Sequence, residues 1–340
     1  MKRLAMTAGP LLALGLMSAP AMANGSVVVY CPLPGSVCQE LANGFKRETG
    51  IDVQILQKQT GEILAQIRAE AQNPKADVWW GGIVDSHFVA DEEGLTIAYE
   101  PQNLDDLAPW SKAIFEASNR RTIGIYSITL GIAYNPELIE KLGIEAPQCW
   151  SDLIRPEFRD EVQISNPNSS GTAYQVIASL VQMMGEDKAF DYLKALNANV
   201  NSYTKSGVAP GKAVARGETT VGINYAQDIL VEKNAGFPIE LALPCEGTAA
   251  GVDGMSIVKG GPNPENAIAF YEWALTPDGL SAAAQGGLLH DPANVNSKRP
   301  QGTEVLSTAK LIDYDYAKFA AKDERARLIQ RWEDEVNINH

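Results

Sequence analysis

The feature of this 340-residue chain that most restricts its fold is an alternation of strand-like and helix-like segments early in the sequence. Short β-branched and apolar runs alternate with amphipathic runs that have a helical period. In chain order they are 26–30 (strand), 37–48 (helix), 51–57 (strand), 61–71 (helix) and 76–81 (strand). Strands that alternate with helices form parallel sheets with covered faces. We therefore predict an α/β fold.

Two later β-prone runs, 122–134 and 242–258, interrupt this alternation. Both contain glycines and suit extended connections better than helices, so we interpret them as strands that cross between two lobes. With 340 residues, 45% of them hydrophobic, the chain is long enough to bury two cores. The other predicted elements are helices at 172–184, 188–197, 264–275 and 317–335 and a strand at 221–225.

The N-terminus has the form of a secretory signal peptide. Lys2 and Arg3 precede an apolar run at 11–17, and Ala21-Met22-Ala23 has the small-x-small pattern of a cleavage site. We predict a signal peptide at 1–23 and a mature protein that is soluble in the periplasm. No later run approaches the roughly 20 apolar residues of a membrane-spanning helix.

The four cysteines, Cys31, Cys38, Cys149 and Cys245, fit an oxidising compartment in which disulfides form. Three pairings are possible. Cys31 and Cys38 are close enough to join a strand end to the next helix, which leaves Cys149 and Cys245 as the long-range pair. A zinc site is the alternative, but the sequence has no Cys-x-x-Cys pair and only three histidines. We expect disulfides and no bound metal.

Charge and motifs exclude several classes of function. The net charge of −14 argues against a nucleic-acid or anionic-membrane surface, because either needs a basic face. Nucleotide-phosphate motifs are absent, as is the Gly-x-Ser-x-Gly turn of many hydrolases. No arrangement of acidic residues singles out an acid and a nucleophile for glycoside chemistry. We expect neither an enzyme nor a cofactor, and a secreted hydrolase is the alternative from another class.

The turn from Asn166 to Tyr174 is rich in hydroxyl and amide side chains and leads into a helical pattern without Lys or Arg. Such side chains cap helices, and the first N–H groups of a helix have no partner within it. The turn is therefore either a plain helix cap or a site for a phosphate, carboxylate or sulfate. A helix start that faces a cleft between two lobes favours the anion site.

Five motifs give the chain a resemblance to a known family. They are Phe-Lys-Arg-Glu-Thr-Gly-Ile at 45–51, Gly-Glu-Ile-Leu-Ala-Gln-Ile at 61–67, Asn-Pro-Lys-Ala-Asp-Val at 73–78, Ala-Tyr-Asn-Pro at 133–136, and the stretch 254–273. In this order they resemble the periplasmic solute-binding proteins of ABC importers, in the subgroup built like the ferric-iron-binding proteins. The resemblance implies a type II binding-protein fold: two α/β lobes with mixed sheets and flanking helices that close on a ligand. We place lobe one at 24–125 plus 250–300 and lobe two at 126–249 plus 301–340.

The chain departs from the iron-binding pattern at one informative place. Iron-binding members carry adjacent tyrosines, whereas this chain reads Asn-Tyr-Ala-Gln-Asp at 224–228. Ferric ion needs several anionic oxygens, and Tyr225 alone supplies too few unless Asp228 and Glu246 are recruited. Ferric iron is therefore an alternative ligand rather than the favoured one.

The chain is more similar to the branch of this family that binds sugar phosphates and other organophosphates. In that branch an Asp and a Glu hold hydroxyl groups of the ligand, and the resemblance assigns these roles to Asp228, with Gln227 beside it, and to Glu246. Asp253 is a further candidate, and Tyr225 can pack on a sugar ring. Because carboxylates also accept hydrogen bonds from an ammonium, an aminoalkylphosphonate is an alternative ligand.

For the anionic end of the ligand, the resemblance points to helix starts in both lobes and to the first crossing run. The residues are Ser36, Thr60, Gly61, Ser127, Ser169, Ser170, Gly171, Thr172 and Ala173. We expect a monomer that carries a small phosphorylated solute to the membrane subunits of an ABC permease and performs no chemistry.

Overall fold

The computed structural model describes residues 25–337, so the predicted signal peptide lies outside the described residues. The strands are β1 Ser26–Cys31, β2 Asp52–Gln57, β3 Val78–Ile83, β4 Thr96–Ile97, β5 Thr122–Tyr134, β6 Val162–Ser165, β7 Val200–Thr204, β8 Val221–Tyr225, β9 Glu240–Ala242, β10 Thr248–Val258, β11 Asp291–Pro292 and β12 Leu311–Ile312. The helices are α1 Gly35–Thr49, α2 Thr60–Ala69, α3 Val84–Glu92, α4 Pro109–Ala117, α5 Pro136–Leu142, α6 Gly171–Met184, α7 Glu186–Asn197, α8 Ala209–Ala215, α9 Ala226–Asn234, α10 Pro264–Ala274, α11 Pro277–Gln285, α12 Tyr316–Phe319 and α13 Lys322–Glu335. Among residues 25–337, no helix has both the length and the apolar character needed to span a membrane.

The strands form mixed sheets along the path β2-β1-β3-β10-β5-β8-β6-β7. Here β1 pairs in parallel with β2 and β3, and β6 pairs in parallel with β7 and β8. We call the part built on β1, β2 and β3 lobe one, and the part built on β6, β7 and β8 lobe two. The predicted α/β fold with mixed sheets and flanking helices is confirmed.

The two predicted crossing runs are β5 and β10, which lie antiparallel in the middle of this path. The first part of β5, up to Thr129, pairs with β10, and its last part, from Leu130 to Tyr134, pairs with β8 in lobe two. The predicted second run was too long at its start, because residues 245–247 form a turn before β10 begins at Thr248. The single strand β5 therefore belongs to both lobes and connects them directly.

Each lobe has its own hydrophobic core. The core of lobe one includes Phe45 and Phe270, and the core of lobe two includes Trp150 and Phe190 together with Trp332 from α13. The two cores are consistent with two lobes. The residue boundaries that we expect for the lobes stay a prediction.

Helix α3 is the clearest element that the sequence pattern did not predict. It is buried continuously from Val84 to Ala90, so all its faces contact protein. A helix without a solvent-exposed face has no amphipathic period, and periodicity therefore cannot reveal it.

The disulfides have the pairing that sequence proximity favoured. Cys31 at the end of β1 joins Cys38 in α1, and Cys149 joins Cys245. The predicted disulfides are therefore confirmed, and these four thiols are not available to bind zinc. The second bond connects the segment before Trp150 to the turn that precedes β10.

We expect the two disulfides to contribute unequally to stability, because they are separated by 7 and 96 positions in sequence. In the chain-entropy model, closing the longer loop stabilises the fold by about 4 to 5 kcal/mol and closing the shorter one by roughly 2 to 3 kcal/mol. The double variant C149S/C245S should therefore lose about 2 kcal/mol more than C31S/C38S. Urea unfolding followed by tryptophan fluorescence measures both losses, and an equal or larger loss in C31S/C38S would contradict the expectation.

Candidate functional site

A cavity lies between the lobes, at the carboxyl ends of β1, β3 and β8 and at the starts of α2 and α6. Ligands of open α/β sheets bind in this position. Seven of the residues predicted for the site line the cavity: Thr60, Ser170, Gly171, Thr172, Tyr225, Asp228 and Asp253. Its apolar wall is formed by Pro32, Leu33, Pro34, Ile83 and Ile128.

The start of α6 supplies hydrogen-bond donors on the lobe-two side. Ser170 is the N-cap, and its Oγ accepts hydrogen bonds from the Ala173 N–H (3.5 Å) and the Ser165 hydroxyl (3.0 Å). The proton of the Ser170 hydroxyl is therefore left to donate elsewhere. The N–H groups of Gly171 and Thr172 are in the first helical turn and have no acceptor within the helix. The turn is thus a helix cap that also presents donors to the cavity, and the two interpretations do not exclude each other.

The start of α2 lies on the lobe-one side of the cavity, opposite the start of α6. Gln59 is the N-cap and forms a capping box with Glu62, which holds the first turn of the helix in place. The Thr60 side chain is 8% exposed and lines the cavity, and its hydroxyl has no hydrogen-bond partner among residues 25–337. Two helix N-termini, each carrying a partial positive charge, therefore meet at one cavity.

The lobes touch directly beside this cavity. The Gly61 N–H donates to the Ser169 carbonyl oxygen (3.2 Å), and the Lys205 ammonium lies 2.6 Å from a Glu62 carboxylate oxygen. The hydrogen bond from Lys205 lowers the pKa of Glu62. A Cβ atom at Gly61 would lie 2.5 Å from the Asn168 carbonyl oxygen, so this approach requires glycine.

The opposite side of the cavity carries two carboxylates and a histidine. Asp253 on β10 is buried, and its Oδ2 lies 2.8 Å from Nδ1 of the buried His290. Asp228 on α9 lies on the other side of the ring, with Oδ1 3.7 Å from Nε2. Burial alone would lower the pKa of His290, but the short contact with Asp253 and the negative charges of Asp228 and Asp253 raise it to about 9. The imidazole is therefore protonated at neutral pH.

Tyr225 closes the site from β8. Its hydroxyl donates to Gln175 Oε1 (2.5 Å), and the Gln175 amide in turn donates to the Ala250 carbonyl (2.9 Å). The ring is buried, and burial together with the charge of Asp253 raises the pKa of Tyr225 well above its usual value. Tyr225 therefore remains a neutral phenol whose orientation is fixed by Gln175.

Several predicted residues do not line this cavity. The Ser36 hydroxyl donates to the Gly286 carbonyl, and Ser36 lines an adjoining cavity that shares Pro34, Val208 and Asp228 with the first. The Ser169 hydroxyl donates to the Lys205 carbonyl (2.8 Å), and Ala173 is buried in the helix.

Ser127 and Gln227 lie on the other side of β5. Side chains alternate across a strand, so Ile128 points into the cavity while Ser127 and Thr129 line a separate space. The Gln227 Oε1 atom accepts a hydrogen bond from the Thr129 N–H (3.0 Å). Its role is therefore to hold the crossing strand.

Glu246 needs the largest correction, because it lies at the Cys149–Cys245 disulfide and does not line the cavity. Its carboxylate accepts hydrogen bonds from the N–H groups of Trp150 (2.8 Å) and Ser151 (2.9 Å). Burial raises the pKa of Glu246, but these backbone donors outweigh it and hold the pKa below its usual value. Glu246 therefore caps the short 3₁₀ turn Trp150–Ile154.

Besides the apolar wall and Gly82, the sequence interpretation missed five residues that line the cavity: Gln59, Ser206, Gly207, Val208 and His290. A signal existed for 206–208, because Ser-Gly follows a strand and precedes a helix with Pro210 in its first turn. For His290 there was no local signal, since it lies in an irregular segment before β11.

The charges of the cavity are divided between its two sides. No Lys or Arg is among the described residues that line it, and the protonated His290 lies against the carboxylates. The helix starts and hydroxyl groups on the other side offer hydrogen-bond donors without a full charge. The cavity can therefore bind an anion at one end and hydrogen-bond donors at the other.

We expect Gly61→Ala to prevent full approach of the lobes, because the added methyl would meet the Asn168 carbonyl. Overpacking of this kind costs typically 1 to 3 kcal/mol, so the Kd of a ligand held between the lobes should rise about tenfold. Stability of the free protein should not fall, since Ala favours a helix over Gly. Calorimetry and urea unfolding measure the two quantities.

Gly35→Ala is a matched control, because Gly35 also begins a helix but its Cβ would approach only the flexible Gln57 side chain, at 3.3 Å. Equal affinities in Gly61→Ala and Gly35→Ala would show that contact between the lobes plays no part in binding.

Comparison with known proteins agrees with this geometry. The family model described as "Bacterial extracellular solute-binding protein" matches residues 73–320. An uncharacterised protein of Haemophilus influenzae is 39% identical over 331 residues, 96% of each chain, and the Fe(3+)-binding periplasmic protein of Serratia marcescens is 25% identical over 312 residues, 89% of this chain and 82% of the other. The structure of the periplasmic binding protein AfuA of Actinobacillus pleuropneumoniae with bound fructose-6-phosphate is 41% identical, with a TM-score of 0.88, and the match covers 92% of this chain and 99% of AfuA. The chain therefore belongs to the family of bacterial extracellular solute-binding proteins, the non-enzymatic receptors of ABC importers.

Proposed function

We propose that this protein binds a small organic phosphate, most specifically a sugar phosphate such as a hexose phosphate, in the cavity between the lobes and delivers it to a membrane permease. The observation that carries the proposal is the division of this cavity into a side with neutral hydrogen-bond donors and a side with carboxylates. A phosphorylated sugar has the complementary groups at its two ends. The fructose-6-phosphate bound to AfuA supports the same ligand class.

The donor side fits a phosphate group. A phosphate oxygen accepts several hydrogen bonds, and helix N-termini supply N–H groups that have no other partner. Here the hydroxyls of Thr60 and Ser170 add donors from both lobes. A phosphate held between them would connect the lobes, so binding and closure would stabilise each other.

The carboxylate side fits the hydroxyl groups of a sugar. Ionised carboxylates only accept hydrogen bonds, so Asp228 can orient a ligand that donates from vicinal hydroxyls. Nearby Pro34 and Ile128 offer apolar surface to the carbon skeleton. This combination of few polar groups and an apolar wall is typical of small-molecule sites.

Ferric iron has less support in this cavity. Tyr225 is the one tyrosine among the described residues that line it, and its hydroxyl is engaged with Gln175. Burial keeps its pKa well above the usual value, which opposes formation of the phenolate that ferric ion needs.

Calorimetry with paired ligands tests the proposal directly. We expect a hexose phosphate to bind at least 100-fold more tightly than its parent hexose, because several charge-assisted hydrogen bonds contribute about 1.5 to 3 kcal/mol each. Ferric ion should give no phenolate-to-iron absorption band. Equal binding of hexose and hexose phosphate, or stoichiometric uptake of coloured iron, would refute the proposal.

Thr60→Val should weaken binding of a hexose phosphate by about tenfold, because it removes one donor to a charged group and preserves the shape of the side chain. Ser169→Ala is the matched control. Its hydroxyl points to the Lys205 carbonyl and not into the cavity, so the affinity should stay within about twofold. A larger loss in Ser169→Ala than in Thr60→Val would place the anion elsewhere.

A further inference from the structure

His290 has one ring nitrogen whose partner the protein does not supply. Nδ1 lies 2.8 Å from Asp253 Oδ2 and donates its proton to that carboxylate. Nε2 is buried and has no hydrogen-bond partner among residues 25–337. Its nearest carboxylate oxygen, Asp228 Oδ1, is 3.7 Å away, which is an ion-pair distance but too long for a hydrogen bond.

A buried N–H group without an acceptor is costly, so such a group usually has a role. The His290 side chain is 3% exposed, and the residue lines the cavity together with Asp228 and Asp253. An oxygen atom of a bound ligand next to Asp228 would be placed to accept the Nε2 proton. That oxygen could donate its own proton to Asp228 only if it belonged to a hydroxyl group.

We propose that His290 binds the ligand through Nε2 and, with Asp228, selects a hydroxyl group over an ammonium group at the end of the ligand away from its phosphate. This inference rests on the proposed function and names the residue that determines its specificity. A hydroxyl can accept from Nε2 and donate to Asp228, whereas an ammonium can only donate. The site therefore favours polyhydroxylated phosphates over aminoalkylphosphonates.

Charge strengthens this selection. Asp228 and Asp253 without a cation between them would attract an ammonium, but the imidazolium reduces their combined charge from −2 to −1. An ammonium beside Asp228 would also lie close to His290 and be repelled by it. A neutral hydroxyl suffers no such repulsion.

The pKa of His290, raised by its two carboxylate neighbours to about 9, gives the selection a pH dependence. The groups that face the ring are Asp253 on β10, Asp228 on α9 and Tyr126 on β5, and Tyr225 on β8 lines the same cavity. Burial keeps the pKa values of both tyrosines well above 10. When His290 loses a proton above about pH 9, the Nδ1–H group still donates to Asp253 and Nε2 becomes an acceptor. A ligand hydroxyl can then no longer accept a hydrogen bond from Nε2, so the affinity for the hexose phosphate should fall.

Two variants separate the roles of the ring nitrogens. His290→Asn places an amide near the position of Nδ1 and keeps a donor to Asp253, but it has nothing at the position of Nε2. His290→Gln reaches the position of Nε2 instead. We expect His290→Asn to weaken binding of a hexose phosphate by at least about tenfold, and His290→Gln to lose less.

The same proteins are titrated with 2-aminoethylphosphonate. We expect His290→Asn to bind it at least as well as the wild type does, so the preference for the hexose phosphate falls. The decrease of hexose phosphate affinity above pH 9 should be absent in His290→Asn. In the wild type, the ¹⁵N resonance of His290 Nε2 should shift when the hexose phosphate is added, a measurement that does not depend on the folding of a variant.

Unchanged affinity in His290→Asn, or an equal loss for both ligands in both variants, would overturn the inference while leaving the proposed function intact. A wild-type protein that binds no hexose phosphate would overturn both. An unshifted Nε2 resonance at saturation with the hexose phosphate would likewise refute a hydrogen bond from His290.

Discussion

The antiparallel pairing of β5 with β10 is the interaction on which the cavity depends. These strands run through the middle of the sheet path, and β5 continues from lobe one into lobe two. Their pleat decides what the cavity contains, since Ile128 on β5 and Asp253 on β10 face it while Ser127 faces away. A change of register by one residue would therefore replace the side chains of both strands that face the cavity.

The features that could be predicted from the sequence are those that depend on the local pattern of residues. Alternating strands and helices gave the α/β fold, and the cap residues before α6 gave the donor side, because both depend on neighbours in sequence. Ser127, Gln227 and Glu246 were assigned from the resemblance to a family, and a resemblance in sequence does not reveal which face of a strand or which helix end a side chain meets. Glu246 is the clearest example. A disulfide between cysteines that are 96 positions apart brings it to the backbone of Trp150.

The two buried histidines show how environment decides function. His87 stacks on Trp79 with ring centroids 3.8 Å apart, and its nitrogens are hydrogen-bonded to Ser256 and to the Gly81 carbonyl. Burial lowers the pKa of His87 to about 3, so it is a neutral core residue. His290 is equally buried, but the two carboxylates reverse the direction of the pKa shift. Sequence alone gives both residues the same description, because the deciding charges come from α9 and β10.

The neutral hydrogen-bond donors in the cavity also avoid an ion pair that a lysine or arginine would form there. In a small cavity that already contains Asp228 and Asp253, a long basic side chain would pair with a carboxylate when no ligand is bound and hold the lobes together. Backbone N–H groups at the helix starts cannot move to reach those carboxylates, and His290 already occupies Asp253. The donors therefore remain available to the anion that we propose as the ligand. A chain with a net charge of −14 can in this way hold the proposed phosphate group locally, because the donors at the helix starts carry no full charge and no lysine or arginine is among the described residues that line the cavity.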